Sequence, residues 1–333
     1  MPTRRALLAL AGAAGLAAAR PALAMRQRLL ALDAQSLSAA DVREVLAATP
    51  APRLIALHGS LPLLTMAPFA EFLIDMGYPE AALRHPANGR LSLGSFGGSR
   101  ELAGSLAWHY EREGLMPMLL GHSQGGMRVI AVLHELAAAQ ALPVWDPVRQ
   151  RAEGRDTIVD PIDGGTRSAA GLQLPYAAAL ATGRTMRVLL GQWDQLARLR
   201  RVPDTVMEFS GYFLPWDAIA GSGPDAARTD PYRADGRAAV RNVLLPAGDS
   251  HLTLPLTRHL ARDPATRAWI EAYDPRLTRP EPPALPGADL RNIVHAADIW
   301  YSLKKHWCLQ AQRVAAAQDA AMRRSRCSSA ACT

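Results

Sequence analysis

Hydrophobic and polar positions between residues 53 and 140 follow two alternating patterns. Short continuous apolar runs are long enough for buried strands, and the segments between them repeat their apolar positions at helical spacing. The predicted strands are 53–57, 91–94 and 115–120, and the predicted helices are 67–76, 100–113 and 127–136. A chain that alternates strand and helix in this way predicts an α/β fold, with a mostly parallel central sheet flanked by helices.

The pattern continues in the second half of the chain. Apolar runs at 204–211 and 239–245 predict two further strands, the second being the last strand of the sheet. A long helical pattern at about 295–323 predicts a C-terminal helix. Before the sheet, residues 36–48 predict a helix, in which Ser38 is the N-cap and Asp41 completes an acidic form of the capping box.

Residues 141–204 show a weaker pattern. We expect a core strand at 156–160, and short helices at 174–182 and 192–200. Residues of about 161–203 are therefore interpreted as a cap or lid insertion, although the whole region can instead belong to the core, with one element misplaced. Four side chains are candidates either for substrate contact or for ordinary packing: Leu172, Leu174, Tyr176 and Trp193.

The N-terminal residues have the layout of an export signal. Adjacent arginines, Arg4 and Arg5, precede the apolar stretch 6–19, and Ala22-Leu23-Ala24 follows as a small-x-small cleavage site. The arginine pair favours a twin-arginine signal over 1–24, with ordinary secretion as the alternative. The apolar stretch is too short for a membrane span, so we expect a folded domain at 25–333 without one, in the periplasm or secreted.

Composition excludes several other classes of protein. The chain has 333 residues, 49% of them hydrophobic, which suits one large domain or one domain with an insertion. Its formal net charge is +7, almost all of the positive charge is arginine, and basic runs with interleaved aromatics are missing, so a nucleic-acid partner is not expected. Three cysteines lie near the C-terminus, at Cys308, Cys327 and Cys332; one pair can form a disulfide, but the spacing fits no zinc site.

The strongest chemical motif is Gly121-His122-Ser123-Gln124-Gly125, which lies between a predicted strand and a predicted helix. A serine at the apex of such a tight turn adopts a strained backbone, and its neighbours two residues away must be small to avoid collision. Gly126 further allows the helix to approach the sheet. The context therefore favours a nucleophile elbow over an ordinary glycine-rich turn, and the helix N-terminus offers N–H groups to an oxyanion.

The motif at 121–126, together with Leu-Ile-Ala-Leu-His-Gly-Ser at 54–60, resembles the α/β-hydrolase family, in particular its bacterial lipases and esterases. The resemblance implies that Ser123 is the nucleophile. It also implies an oxyanion hole formed by the backbone N–H groups of Ser60 and Gln124. His58 and His122 are expected to be structural.

Two later positions complete the resemblance. Asp217 follows the predicted strand 204–211, where the family places its acid, and His251 follows the last strand, where the family places its general base. The chain order Ser123, Asp217, His251 is the order of these enzymes. Asp160 also follows a predicted strand and remains an alternative for the acid.

These residues predict an exported serine hydrolase that cleaves carboxylic esters through an acyl-enzyme intermediate, as a lipase or esterase does. No metal or organic cofactor is expected, and transient contact with a lipid surface is compatible with the function. Two alternatives remain: an acyltransferase on the same fold, and a non-catalytic binding protein that retains it. Peptidase and amidase chemistry would use the same triad.

Overall fold

The computed structural model describes residues 23–61, 63–183 and 193–330. Its centre is a parallel sheet of five strands in chain order. The strands are β1 (Leu54–Leu57), β2 (Met118–His122), β3 (Leu174–Leu180), β4 (Val206–Phe213) and β5 (Ala239–Leu244). The first three are buried along their whole length, as expected for strands covered on both faces. The predicted α/β architecture with a parallel sheet and flanking helices is therefore confirmed.

Helices surround this sheet, and most lie where the apolar spacing predicts them. They are α1 (23–31), α2 (Ala39–Glu44), α3 (Ala67–Met76), α4 (Glu80–Leu83), α5 (Ser99–Glu113), α6 (Gln124–Ala137), α7 (Trp193–Arg198), α8 (Ala226–Thr229), α9 (Arg258–Arg262), α10 (Pro264–Ala272) and α11 (Ile293–Ala330), with a 3-10 turn at Leu46–Ala48. The predicted capping box is present, because Ser38 and Asp41 each bind the other's backbone N–H.

Two apolar cores cover the two faces of the sheet. Successive strand side chains point to opposite faces, so Leu54 and Leu120 contribute to one core, while Leu57 and Leu119 contribute to the other. The first core includes side chains of α3 and α11, such as Phe69, Phe72, Trp300 and Trp307. The second includes side chains of α5 and α6, such as Leu102, Leu106, Val129 and Leu133. The sheet is thus the middle of three layers.

The sheet reverses its strand order at β1. The predicted strand 91–94 is reduced to one parallel bridge, in which Leu93 pairs with Leu57 on the side of β1 away from β2. After β1 the chain continues to one side of the sheet, and after β2 it continues to the opposite side. In open parallel sheets, ligands bind at such a switch point, outside the carboxyl ends of the strands. Ser60 and Ser123 both lie just beyond these two strand ends.

The segment 174–182 was predicted as a helix, and this prediction is wrong. Leu174–Leu180 is β3, the central strand, and it is buried throughout. A strand buried on both faces shows no polar alternation. The alanines of β3 and Pro175 near its start are also poor signals for a strand. The range 161–203 therefore contains part of the core and is not one separate insertion. The predicted helix within 192–200 is present as α7.

The predicted strand within 156–160 is present, but its predicted place in the core sheet is wrong. Thr157–Val159 pairs antiparallel with Thr166–Ser168 in a hairpin outside the main sheet. Two more short ladders lie outside it: Trp145–Asp146 pairs with Arg151–Ala152, and Arg201–Val202 pairs with Arg233–Ala234. Such two-residue and three-residue strands carry too few apolar positions to be distinguished from loops by their pattern.

Several other predictions concern the ends of the chain. The C-terminal helix is longer than the predicted 295–323, since α11 spans Ile293–Ala330. Cys308 is a buried free thiol on this helix. A Cys327–Cys332 pair and almost all of the predicted signal at 1–24 lie outside the residues whose side chains or backbone are described. Among the helices of the described chain, none combines the length and apolar character needed to cross a membrane.

Candidate active site

Ser123 occupies a strained turn between β2 and α6. Its backbone has φ 55° and ψ −122°, a conformation that side chains with a Cβ rarely adopt. Two backbone hydrogen bonds stabilise this conformation. The Ser123 N–H donates to the Leu180 carbonyl at 2.8 Å, and the Gly126 N–H donates to the Ser123 carbonyl at 3.0 Å. The turn thus lifts the serine side chain beyond the end of the sheet.

The neighbouring glycines are required by close backbone approach. A Cβ on Gly121 would lie 2.4 Å from the Gly125 carbonyl, and one on Gly125 would lie 2.2 Å from the Leu57 oxygen. A Cβ on Gly126 would lie 1.9 Å from Oγ1 of Thr182. These separations are far below van der Waals contact, so the small residues expected around the elbow are present for the predicted steric reason.

His251 connects Ser123 to Asp217. Its Nε2 atom lies 2.9 Å from Ser123 Oγ, and its Nδ1 atom lies 2.7 Å from Asp217 Oδ2. The two ring nitrogens thus face different partners, which is the arrangement of a nucleophile, a base and an orienting acid. The Asp217 side chain is 2% exposed and that of His251 is 7% exposed, so bulk water competes little for either bond.

The other oxygen of Asp217 is also occupied. Asp217 lies in the loop after β4, and its Oδ1 accepts the backbone N–H groups of Ile219 and Ala220 at 3.0 Å each. Burial by itself would raise the pKa of Asp217, but the hydrogen bonds from His251, Ala220 and Ile219 outweigh it and hold the pKa below its ordinary value. The carboxyl group is therefore ionised and fixed in orientation toward the His251 ring.

Asp160, the alternative acid, lies in a different environment. Its Oδ1 accepts the Tyr110 hydroxyl at 3.0 Å, and its Oδ2 pairs with Arg167 at 2.6 Å in the hairpin outside the sheet. The structure therefore brings Asp217, and not Asp160, into contact with His251. His58 also lies apart from this chain of bonds, because its Nδ1 faces Ser92 Oγ at 2.7 Å.

Ser60 and Gln124 face each other across the cleft beside Ser123. The turn after β1 approaches the elbow so closely that a Cβ on Gly59 would lie 3.2 Å from Ser123 Oγ. The Ser60 hydroxyl donates to Gln124 Oε1, which joins the two loops through their side chains. Within the described part of the chain, the backbone N–H groups of Ser60 and Gln124 make no hydrogen bond, so both are available to a ligand.

Ser123 lies in a cavity of about 460 Å³. Sequence reasoning identified few of the side chains that line it. The apolar lining residues are Leu61, Leu64, Phe96, Met127, Ile219 and Ala220. Phe96 belongs to the Gly94–Gly98 loop, while Leu61 and Leu64 follow the Ser60 turn without a distinguishing pattern.

Three of the four candidate substrate contacts can be compared with this cavity, and they are not part of it. Leu172, Leu174 and Tyr176 are buried in the cores of the domain. None of them lines the cavity around Ser123. The Trp193 side chain lies outside the described residues. Packing, the other interpretation given to these positions, accounts for the three that are described.

Three buried side chains bind backbone carbonyls of the loop 245–257, which carries His251. Asn292 donates from Nδ2 to the carbonyls of Thr253 and Leu256, at 2.8 and 3.1 Å. His295 Nε2 lies 3.0 Å from the Leu254 carbonyl, and His122 Nε2 lies 2.9 Å from the carbonyl of His251 itself. Sequence reasoning assigned no contact to Asn292 or His295, which precede or begin the C-terminal helix.

Comparison of the chain with protein-family models gives no match, and comparison with curated proteins gives no relative of significant similarity. Inference about the chemistry therefore depends on the residues and distances of the site.

Proposed function

We propose that this protein is an exported serine hydrolase of the α/β-hydrolase type, which cleaves carboxylic esters through an acyl-enzyme intermediate. The observation that carries the proposal is the continuous chain of contacts from Ser123 Oγ to His251 Nε2, and from His251 Nδ1 to Asp217. This chain lies at the carboxyl end of a parallel sheet, where such folds bind ligands. The function rests on this geometry together with the sequence resemblance.

In the proposed reaction, Ser123 Oγ attacks the ester carbonyl carbon while His251 Nε2 takes the hydroxyl proton. A tetrahedral intermediate forms, and the negative charge develops on the former carbonyl oxygen. His251 then returns the proton to the alcohol oxygen as the C–O bond breaks, which leaves an acyl group on Ser123. A water molecule, deprotonated by the same nitrogen, then attacks the acyl carbon. His251 returns this proton to Ser123 Oγ as the bond from the acyl carbon to Oγ breaks, which releases the carboxylic acid and restores the serine.

The backbone N–H groups of Ser60 and Gln124, which make no hydrogen bond to the described residues, are the proposed oxyanion donors. They belong to the two loops that meet at Ser123, and the hydrogen bond between their side chains holds these loops together. A fixed donor of this kind contributes about 3–4 kcal/mol to transition-state stabilisation, because it needs no reorganisation as the charge develops. Asp217 would stabilise the imidazolium form of His251 during the same step.

The choice of an ester substrate is supported by the apolar side chains around Ser123 and by the sequence resemblance to lipases and esterases. An apolar cavity of about 460 Å³ suits an acyl chain better than a polar peptide segment.

The test is hydrolysis of p-nitrophenyl esters, from acetate to palmitate, by the mature protein and by Ser123→Ala. Saturable hydrolysis that Ser123→Ala abolishes supports the proposal, and its dependence on acyl length distinguishes an esterase from a lipase. Added alcohols with product analysis separate hydrolysis from acyl transfer. If the mature protein cleaves no ester and takes up no serine-directed phosphonate, the proposed function is wrong.

A further inference from the structure

His122 immediately precedes Ser123 in the chain, yet its side chain points to the loop that carries His251. Its Nε2 atom lies 2.9 Å from the carbonyl oxygen of His251, and the centroids of the two rings are 5.0 Å apart. Only 1% of His122 is exposed. The two residues are 129 positions apart in sequence, so this contact directly ties the elbow to the base.

The protonation state of His122 follows from its surroundings. Burial, reinforced by the neighbouring His251 ring, lowers the pKa of His122 to about 3, so the ring is neutral at any pH at which the protein would work. A backbone carbonyl can only accept a hydrogen bond, so the proton of neutral His122 must be on Nε2. His122 is therefore a donor with a fixed tautomer.

This donor acts on the backbone of the base. Asp217 fixes the His251 ring through Nδ1, and His122 fixes the peptide group from which that ring projects. Together the two bonds fix the position of His251 Nε2, which lies 2.9 Å from Ser123 Oγ. Reacting groups must be held within about 0.5 Å of the productive geometry, and a misplacement of about 1 Å can cost 100-fold in rate.

A neutral donor is also electrostatically suited to this position. His251 must become positively charged when it takes the serine proton. A cationic donor at the same distance would oppose that charge, because like charges in a buried site repel strongly. A buried imidazole supplies the hydrogen bond without the charge.

We propose that His122 is a positioning residue for the acyl-transfer reaction, which acts by holding the backbone of His251 and thereby directing Nε2 at Ser123. This inference rests on the proposed function. It predicts that removing the His122 hydrogen bond lowers the rate of chemistry more than it lowers substrate binding or stability.

The chain provides a matched control in His295. This residue is also buried, its Nε2 atom also lies at hydrogen-bond distance from a carbonyl of the same loop, at 3.0 Å from Leu254, and its pKa is lowered by burial to about 4. His295 binds the carbonyl of Leu254, three residues after His251, whereas His122 binds the carbonyl of His251 itself. Loss of either bond removes similar packing and one buried donor, but only His122 contacts His251.

The experiment compares His122→Leu, His122→Gln and His295→Leu. For His122→Leu we expect kcat to fall about 10- to 100-fold, with KM changed by less than about twofold. His122→Gln restores most of kcat, since its terminal amide places an N–H near the position of Nε2. His295→Leu lowers the melting temperature but keeps kcat. Equal losses of kcat in the two Leu variants, or unchanged kcat in His122→Leu, would overturn the inference.

A second readout needs no substrate. A proton between an imidazole and a carboxylate gives a low-field NMR signal, and its sharpness reports how rigidly His251 is held against Asp217. We expect the signal in wild type and His122→Gln, and its broadening or loss in folded His122→Leu. If wild type is inert on esters but the signal follows this pattern, the proposed function fails while the positioning role stands. An unchanged signal in His122→Leu contradicts that role.

If His122→Leu does not fold, His122→Asn replaces it. The shorter Asn amide stays polar but cannot reach the His251 carbonyl, so it is expected to lose kcat relative to His122→Gln. Equal kcat in the Asn and Gln variants would likewise overturn the inference.

Discussion

Asp217 Oδ2 lies 2.7 Å from His251 Nδ1, and the two residues follow the neighbouring strands β4 and β5. Adjacent parallel strands end at the same edge of the sheet, so loops that are distant in sequence meet there. The second oxygen of Asp217 is held by backbone N–H groups, which leaves the first oriented toward the imidazole. The contact between Asp217 and His251 is therefore a direct product of strand order.

Replacement of Asp217 by Asn tests this pairing. The amide keeps the shape of the side chain, but it does not hold the His251 proton on Nδ1. It also carries no charge to stabilise the protonated ring, so we expect kcat to fall about 10⁴-fold. Asp160→Asn is the matched control, and it is expected to keep kcat, because Asp160 contacts Tyr110 and Arg167. Steady-state kinetics on a short ester would check both, and a large loss in Asp160→Asn alone would reverse the assignment.

Ser123→Ala removes the proposed nucleophile while leaving the fold in place. We expect at least about a 10⁴-fold loss of esterase activity and no covalent labelling by a fluorophosphonate. The melting temperature should change little, because the Ser123 hydrogen bonds that hold the elbow use backbone groups. Labelling that persists in the Ala variant would place the reactive group elsewhere.

Gly125→Ala tests the close approach of α6 to β1. The new Cβ would lie 2.2 Å from the Leu57 oxygen, so the helix or the strand must shift. We expect about 1–3 kcal/mol of destabilisation, as for overpacking of a core, and a larger loss of activity because the displaced elements carry Ser123 and Gln124. Gly223→Ala is the control, since nothing lies within 4 Å of its Cβ position. Chemical unfolding and ester hydrolysis would be measured on both, and equal stability would contradict the expected clash.

Stability should fall in mild acid because buried histidines are held neutral. Burial lowers the pKa of His295 to about 4, whereas an unfolded histidine titrates near 6.5. Between these values the unfolded chain binds more protons than the folded one, so the free energy of unfolding decreases as pH falls, by about 1.4 kcal/mol per unit for one such group. His295→Gln is expected to reduce the slope between pH 6 and 4.5 by about this amount.

Urea unfolding at several pH values measures this slope. A slope unchanged in His295→Gln would show that His295 takes up its proton equally in the folded and unfolded states.

The cavity beside Ser123 predicts a dependence on acyl length. Leu64→Trp would place an indole in this apolar space, so kcat/KM for long acyl esters should fall by about 10-fold or more relative to acetate. Leu277→Trp, at a position that is 85% exposed and does not line the cavity, should leave the ratio unchanged. The measurement is the ratio of kcat/KM for octanoate and acetate esters. An equal ratio in both variants would mean that the acyl chain binds elsewhere.

The sequence alone determined the elements whose signals are local. The G-x-S-x-G turn was recognisable because sterics within five residues require glycine at Gly121 and Gly125. Apolar spacing located α3, α5, α6, β4 and β5 to within a few residues, because each has a period that its own segment specifies. The order of Ser123, Asp217 and His251 was likewise readable along the chain.

Features that depend on which segments become neighbours could be learned only from the folded chain. The strand β3 was missed because burial on both faces removes the polar alternation that marks a strand. Asp217 and Asp160 each follow a predicted strand. Strand pairing places one of these strands beside β5 and the other in an outlying hairpin, so only Asp217 contacts His251. The contact of His122 with His251 joins residues 129 positions apart, and no local pattern of polarity can encode such a distance.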